Sequence, residues 1–150
     1  MKVFLDANVL FSASLGAAGA AQALLVAAAQ AGVPCLSSER AFAEAHRNLE
    51  RRAPSSVPNL ELIAVLVSRV PEPGTAPIAA ARAAGVVEKD APVLGAALAC
   101  GADWFVTGDQ RHFGHLFGRQ VEGVLVLPLR TAVDRLTARS APHGQRGRTE

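Results

Sequence analysis

Cysteine is nearly absent from this chain. Cys35, in a predicted strand, and Cys100, near the end of a predicted helix, are too few for a disulfide framework and lack metal-ligand spacing, so they read as small buried thiols. No apolar stretch reaches the roughly 20 residues that span a bilayer, and Lys2-Val3-Phe4-Leu5 reads as a strand rather than a charged-then-apolar leader. No membrane association and a cytoplasmic location are therefore expected. Aromatic residues are scarce at 5%, while half the chain is apolar with Ala and Val in excess, which fits Ala-rich helices laid on a β-branched sheet. No break in composition divides the 150 residues, so one domain with a proper core is expected.

Glycine and proline punctuate the rest. After the first strand, Asn8 to Gly19 reads as a Ser/Gly-interrupted turn and Ala20 to Ala31 as a helix that Gly32 stops. Val33 to Leu36 is a short apolar run ending in Ser37-Ser38, and either serine can cap a helix through Ala41, Phe42, Ala45 and Leu49. Arg52 to Pro58 reads as a loop, and Leu60 to Val70 as a helix passing into a strand. Pro71-Glu72-Pro73-Gly74 breaks the chain before a helix over Ala76 to Ala84, which Gly85 ends. Asp90 opens a helix from Ala91 to Cys100, and Trp104 to Thr107 is the next strand. A Gly-Asp turn and a His/Phe-rich segment, His112 to Phe117, lead to a last strand, Val124 to Leu127, and a short helix, Pro128 to Thr137. Residues 1–138 are thus expected to form the domain and the polar residues 139–150 a mobile tail. Alternating strands and helices predict a three-layer α/β/α sandwich around a mainly parallel sheet.

In such a sheet the carboxyl ends of the strands face one crevice. Asp6 ends the first apolar run and Asp109 ends Trp104-Phe105-Val106-Thr107-Gly108, so both acids fall at strand ends. Asp6 also suits a turn, through local side-chain hydrogen bonds. Asp90, in Lys89-Asp90-Ala91-Pro92, is a good N-cap, and could cap with one oxygen and bind metal with the other. Glu44 lies mid-helix with Arg47 at i+3, and reads as a solvated partner of Arg47 or as a further ligand; Glu39 and Glu50 compete for that role. Asp103 falls at the opposite end of its strand and reads as a turn or structural acid, while His112 and His115 read as packing or phosphate-facing groups. Setting Asp6, Glu44, Asp90 and Asp109 aside leaves 15 basic residues against nine acidic ones, a surface suited to a polyanion.

Taken together, four motifs in order resemble the PIN-domain nucleases: Leu5-Asp6-Ala7-Asn8-Val9-Leu10, Phe42-Ala43-Glu44-Ala45, Lys89-Asp90-Ala91-Pro92-Val93-Leu94, and Ala102-Asp103-Trp104-Phe105-Val106-Thr107-Gly108-Asp109. The match runs from about Lys2 to Leu127. The resemblance implies a metal-dependent endoribonuclease, a hydrolase similar to the toxin half of VapBC-type toxin–antitoxin pairs, with Asp6, Glu44, Asp90 and Asp109 as the catalytic, metal-binding quartet. One or two Mg²⁺ or Mn²⁺ ions would bind the scissile phosphate of RNA, acidify a bound water and stabilise the leaving oxygen. In that scheme Asp6 and Asp109 are core ligands, Asp90 is a ligand to the same or a second ion, Glu44 is a ligand or a base, and Asn8 and Thr107 support them by hydrogen bonding. A small antitoxin partner and a homodimer also follow from the resemblance. Many relatives carry a further acid shortly after the Thr-Gly-Asp turn, where this chain has Gln110, Arg111, His112 and Phe113.

Two other readings compete. The basic surplus and the missing later acid also suit a catalytically weak or inactive RNA-binding or protein-interaction module. An aspartyl phosphatase or receiver domain fits poorly, because Asn8 stands where the phosphatase has a second Asp and no Lys ends a late strand.

Overall fold

Three consecutive buried residues, Val3–Leu5, form β1 at the centre of the sheet, as an apolar run without alternation requires of a strand covered on both faces. The computed structural model describes residues 1–16 and 18–141. β1 pairs in parallel with β2 (Cys35–Ser38), Val3 facing Cys35, and on its other side with β4 (Trp104–Thr107), Leu5 facing Val106. β3 (Val67–Val70) and β6 (Val124–Pro128) extend the parallel sheet outward, and the two-residue β5 (Gln120–Val121) adds the antiparallel edge. The order β3-β2-β1-β4-β6-β5 places the topological switch between β1 and β4, where ligands gather in open α/β sheets. The sandwich with a mainly parallel sheet is therefore as the alternation predicts.

Helices cover the sheet. α1 (Ala7–Ser14) packs on α3 (Glu39–Arg52) and α4 (Val57–Leu66), α2 (Ala20–Ala31) on α8 (Leu129–Arg139), and α5 (Thr75–Ala83) on α6 (Ala91–Ala99). Two helix ends follow the sequence closely. Gly32 closes α2 at φ 67°, a left-handed conformation that glycine adopts without strain, and Ser38 caps α3 by accepting from the Ala41 N–H at 3.2 Å. A short α7 (Gln110–Phe113) and a 3₁₀ turn (Gly114–Leu116) follow β4.

The segment from Asn8 to Ser14 is helix, not the expected turn. Asp6 caps α1 by accepting from Ala7 N–H at 2.8 Å, and burial of Val9, Leu10 and Ala13 outweighs the turn preference of Asn and Ser. The expected loop from Arg52 to Pro58 is only partly one: Arg52 ends α3, Pro54–Ser56 is a 3₁₀ turn, and α4 begins at Val57 with Pro58 in its first turn, where a missing N–H costs nothing. Strand β5 has no counterpart in the sequence reading, because two residues carry no period. α8 runs to Arg139, and from residue 142 onward the expected tail lies outside the described residues.

Aromatic rings stack within the core. Phe4 and Phe105 lie 5.8 Å apart between centroids, and Phe113 closes on Phe105 at 5.0 Å, with all three buried. Asp103, at the far end of β4, accepts from the Lys2 backbone N–H at 2.7 Å and is the structural acid expected. Both cysteines are free; Cys35 is buried, and burial pushes its thiol up to about 11. No helix among the described residues is long and apolar enough to cross a membrane.

Candidate metal centre

The carboxyl ends of β1 and β4 open into one cleft of about 730 Å³. Asp6, Glu44, Asp90 and Asp109 all line it, together with Asn8, Arg47, Asn48, Arg51, Arg52 and Lys89. Four acids separated by as many as 103 positions in the chain thus share one concavity with a basic wall.

Asp6 is the most enclosed of them. Its Oδ1 accepts from the Ala7 N–H, and its Oδ2 accepts from Thr107 Oγ1 at 2.8 Å and from Asn8 Nδ2 at 3.0 Å. Burial pushes its carboxyl up to about 7 against the pull of the Thr107 and Ala7 donors, and the nearby charges of Asp90 and Glu44 push the same way. Asn8 spans the cleft floor: Nδ2 also donates to Thr107 Oγ1 at 3.1 Å, while Oδ1 accepts from the Gly108 N–H at 2.7 Å. A side chain at position 108 would approach Asn8 Oδ1 to 3.3 Å, so a glycine there lets the β4 turn close on Asn8. Thr107 Oγ1 in turn accepts from the Asp109 N–H at 3.0 Å, which ties both strand-end acids to one hydroxyl.

Asp90 stands at the start of α6 but its side chain caps nothing. Its Oδ2 is buried and has no hydrogen-bond partner, a costly state for a carboxylate oxygen unless a positive ligand meets it. Burial raises its carboxyl above the usual range, and the positive charges of Lys89 and His112 offset only part of that. The capping role open to it in the sequence is absent.

Glu44 lies partly buried on α3, and among the described residues it forms no ion pair with Arg47. Glu39 is drawn away by Arg69 at 2.6 Å, and Glu50, also on the cleft wall, faces His46 at 3.2 Å. Of the three candidate glutamates on α3, Glu44 is the one inside the cleft without a cationic partner.

The arrangement also contains a residue read from sequence only as packing or phosphate-facing. His112 Nδ1 lies 2.7 Å from Asp109 Oδ2 and 3.2 Å from Asp90 Oδ2. Asp109 caps the α7 turn by accepting from the His112 N–H at 3.1 Å, so one helical turn brings position i+3 back over the acid. That i, i+3 spacing was the available signal. His115, by contrast, turns away and meets the Ala84 carbonyl at 3.1 Å. Asp90, Asp109 and His112 can present one donor atom each within 4.8 Å of one another, a set of carboxylate oxygens and an imidazole nitrogen that suits a divalent cation. Asp6 and Glu44 stand beside this trio without joining it.

A model of the PIN domain matches residues 2–111. The fold is similar to a chain in the crystal structure of VapBC2 from Rickettsia felis bound to a DNA fragment from their promoter, with a TM-score of 0.64, 14% identity, and coverage of 85% of this chain and 98% of that one. No curated protein sequence matches.

Proposed function

The chain belongs to the PIN-domain family, and on that premise we propose that it is a metal-dependent endoribonuclease, the toxin of a toxin–antitoxin pair, whose nuclease domain spans residues 1–138. The observation that carries the reading is the convergence of Asp6, Glu44, Asp90 and Asp109 on one cleft in which a buried Asp90 oxygen lacks any hydrogen-bond partner. Asp6, Asp90 and Asp109 are the residues to hold Mg²⁺ or Mn²⁺, and Glu44 serves as a further ligand or orients water. When bound, the cation supplies positive charge against the scissile phosphate and favours ionisation of a water. Asn8 and Thr107 fix the Asp6 carboxylate by donating to it, so its direction toward the cleft does not have to be re-established at each turnover.

The basic wall serves the substrate. Arg47, Arg51 and Arg52 on α3 and Lys89 beside Asp90 face an acid-lined floor, an arrangement that draws phosphates inward and holds them over the carboxylates. Arg51 is steadied by Asn48 at 2.8 Å, and the Arg52 guanidinium sits 4.9 Å from the centroid of the Phe11 ring. The likeness to VapBC2 supports a small antitoxin as partner, and the reading includes a homodimer in the cytoplasm.

The test is cleavage of structured and single-stranded RNAs by the purified protein with Mn²⁺ or Mg²⁺, with EDTA, and by Asp6→Ala and Asp109→Ala prepared identically. Cleavage that needs both the metal and the two acids is expected. Cleavage unchanged in either variant overturns the reading, and salt-sensitive RNA binding that survives chelation without cleavage replaces it with a binding module.

A further inference from the structure

We propose that His112 is a metal ligand, and that Asp90, Asp109 and His112 form a mixed carboxylate and imidazole site that takes Mn²⁺ in preference to Mg²⁺. The inference rests on the metal-dependent reading above and adds to it a nitrogen donor and a cation preference.

Three observations converge on His112. The first is local: Phe113, buried against Phe105 at 5.0 Å, anchors α7, and the preceding side chain, only partly exposed, lies against the Asp90 and Asp109 carboxylates. The second is spacing: an octahedral ion with bonds of about 2.1 Å places neighbouring donors about 3 Å apart, and the Nδ1 distances of 2.7 Å and 3.2 Å to the two carboxylates lie on either side of that value. The third is independent of His112. Asp90 is nine-tenths buried, and its Oδ2, turned toward the same point, has no hydrogen bond of its own. A hydrogen bond from Nδ1 to Asp109 alone would satisfy Asp109 and leave that oxygen stranded; a cation among the three atoms satisfies all of them.

The donor set then chooses among cations. Carboxylate-only sites suit Mg²⁺, which dehydrates reluctantly, whereas an imidazole nitrogen favours first-row transition ions over it. Gln110 and Arg111 offer no anionic donor to this cluster, so the histidine supplies the third.

The experiment titrates Mn²⁺ and, separately, Mg²⁺ into metal-free protein by calorimetry, and records pulsed EPR on the bound Mn²⁺. Wild type is expected to bind Mn²⁺ at least tenfold more tightly than Mg²⁺, with nuclear modulation from a directly bound nitrogen. His112→Asn keeps a polar side chain able to donate to Asp109; it should weaken Mn²⁺ binding about 10- to 100-fold and abolish the nitrogen modulation. His112→Asp should strengthen Mg²⁺ binding relative to Mn²⁺ and erase the preference. Circular dichroism establishes that each variant is folded. Mn²⁺ binding in wild type without nitrogen modulation, or with unchanged affinity in His112→Asn, removes the histidine ligand and leaves the nuclease reading intact. Wild type that binds neither ion overturns both.

Discussion

Thr107 donates a 2.8 Å hydrogen bond to Asp6 across 101 residues of sequence, joining the ends of the two central strands at the floor of the cleft. The same hydroxyl accepts from Asn8 and from the Asp109 backbone. Thr107→Val keeps the shape and removes the oxygen, leaving the part-buried Asp109 N–H without its acceptor and Asp6 without a donor, so it should destabilise the protein by about 1–3 kcal/mol in urea denaturation. It should also push the Asp6 carboxyl above its value of about 7, because that donor is the largest influence holding it down. Thr107→Ser, which retains the hydroxyl, should stay close to wild type on both measures.

Asp6 makes the stability of the metal-free protein depend on pH. Its carboxyl titrates near 7 when folded and near 3.8 when exposed, so between those values the native state holds a proton that the unfolded state has released. Stability from this group is complete below the lower value and is lost as pH rises through the upper one, at up to about 1.4 kcal/mol per unit. Asp90, also raised, acts in the same direction. In EDTA the thermal midpoint should fall from pH 5 to pH 8, and Asp6→Ala should flatten that slope. Because a cation takes the place of the proton, Mn²⁺ should raise the midpoint more at pH 8 than at pH 5.

The exposed arginines on α3 should govern binding more than chemistry. In an Asp109→Ala background, which on the proposed reading should bind RNA without cutting it, each of Arg47→Ala and Arg51→Ala should lower the slope of log affinity against log salt by about 0.7 if it holds one phosphate of a single strand. Filter binding across a salt series measures this. An unchanged slope would place the RNA backbone elsewhere on the surface.

Gly95 sets how closely α5 and α6 approach. A Cβ there would lie 3.2 Å from the backbone nitrogen and Cγ1 of Ile78 and 3.3 Å from its Cα, and backbone atoms cannot step aside as a flexible side-chain end can. Gly95→Val should therefore destabilise by about 1–3 kcal/mol through overpacking. Denaturant midpoints report it, and since Asp90 immediately precedes α6, divalent-cation affinity should fall with the stability.

Much of this architecture is legible in the chain because glycine, proline and serine mark its boundaries. Gly32 and Ser38 do in the structure what their residue types imply, and Asp6 and Asp109 stand at strand ends as their positions after apolar runs require. What is not legible depends on burial. Asn8, Ser12 and Ser14 read as turn formers, yet Val9, Leu10 and Ala13 between them are covered by the rest of the fold, and the segment becomes helix. Asp90 looks like a cap from its neighbours alone; only the fold reveals that its carboxylate faces the cleft without a hydrogen bond to Oδ2. His112 escaped because its significance lies in where a single helical turn returns, and a segment of four residues shows no period.

The insertion of β4 beside β1 also sets when the cleft can form. The Asp6 backbone N–H donates to the Val106 carbonyl at 3.0 Å, so the two halves of the cleft are stitched together only when the later-made strand meets the earlier one. At about 5–20 residues per second, a ribosome needs on the order of 5–20 seconds to travel from Asp6 to His112. Throughout that interval the nascent chain carries some of its acids and no cleft. The acid-lined cleft is thus withheld from every unfinished copy, including those still attached to the message that encodes them.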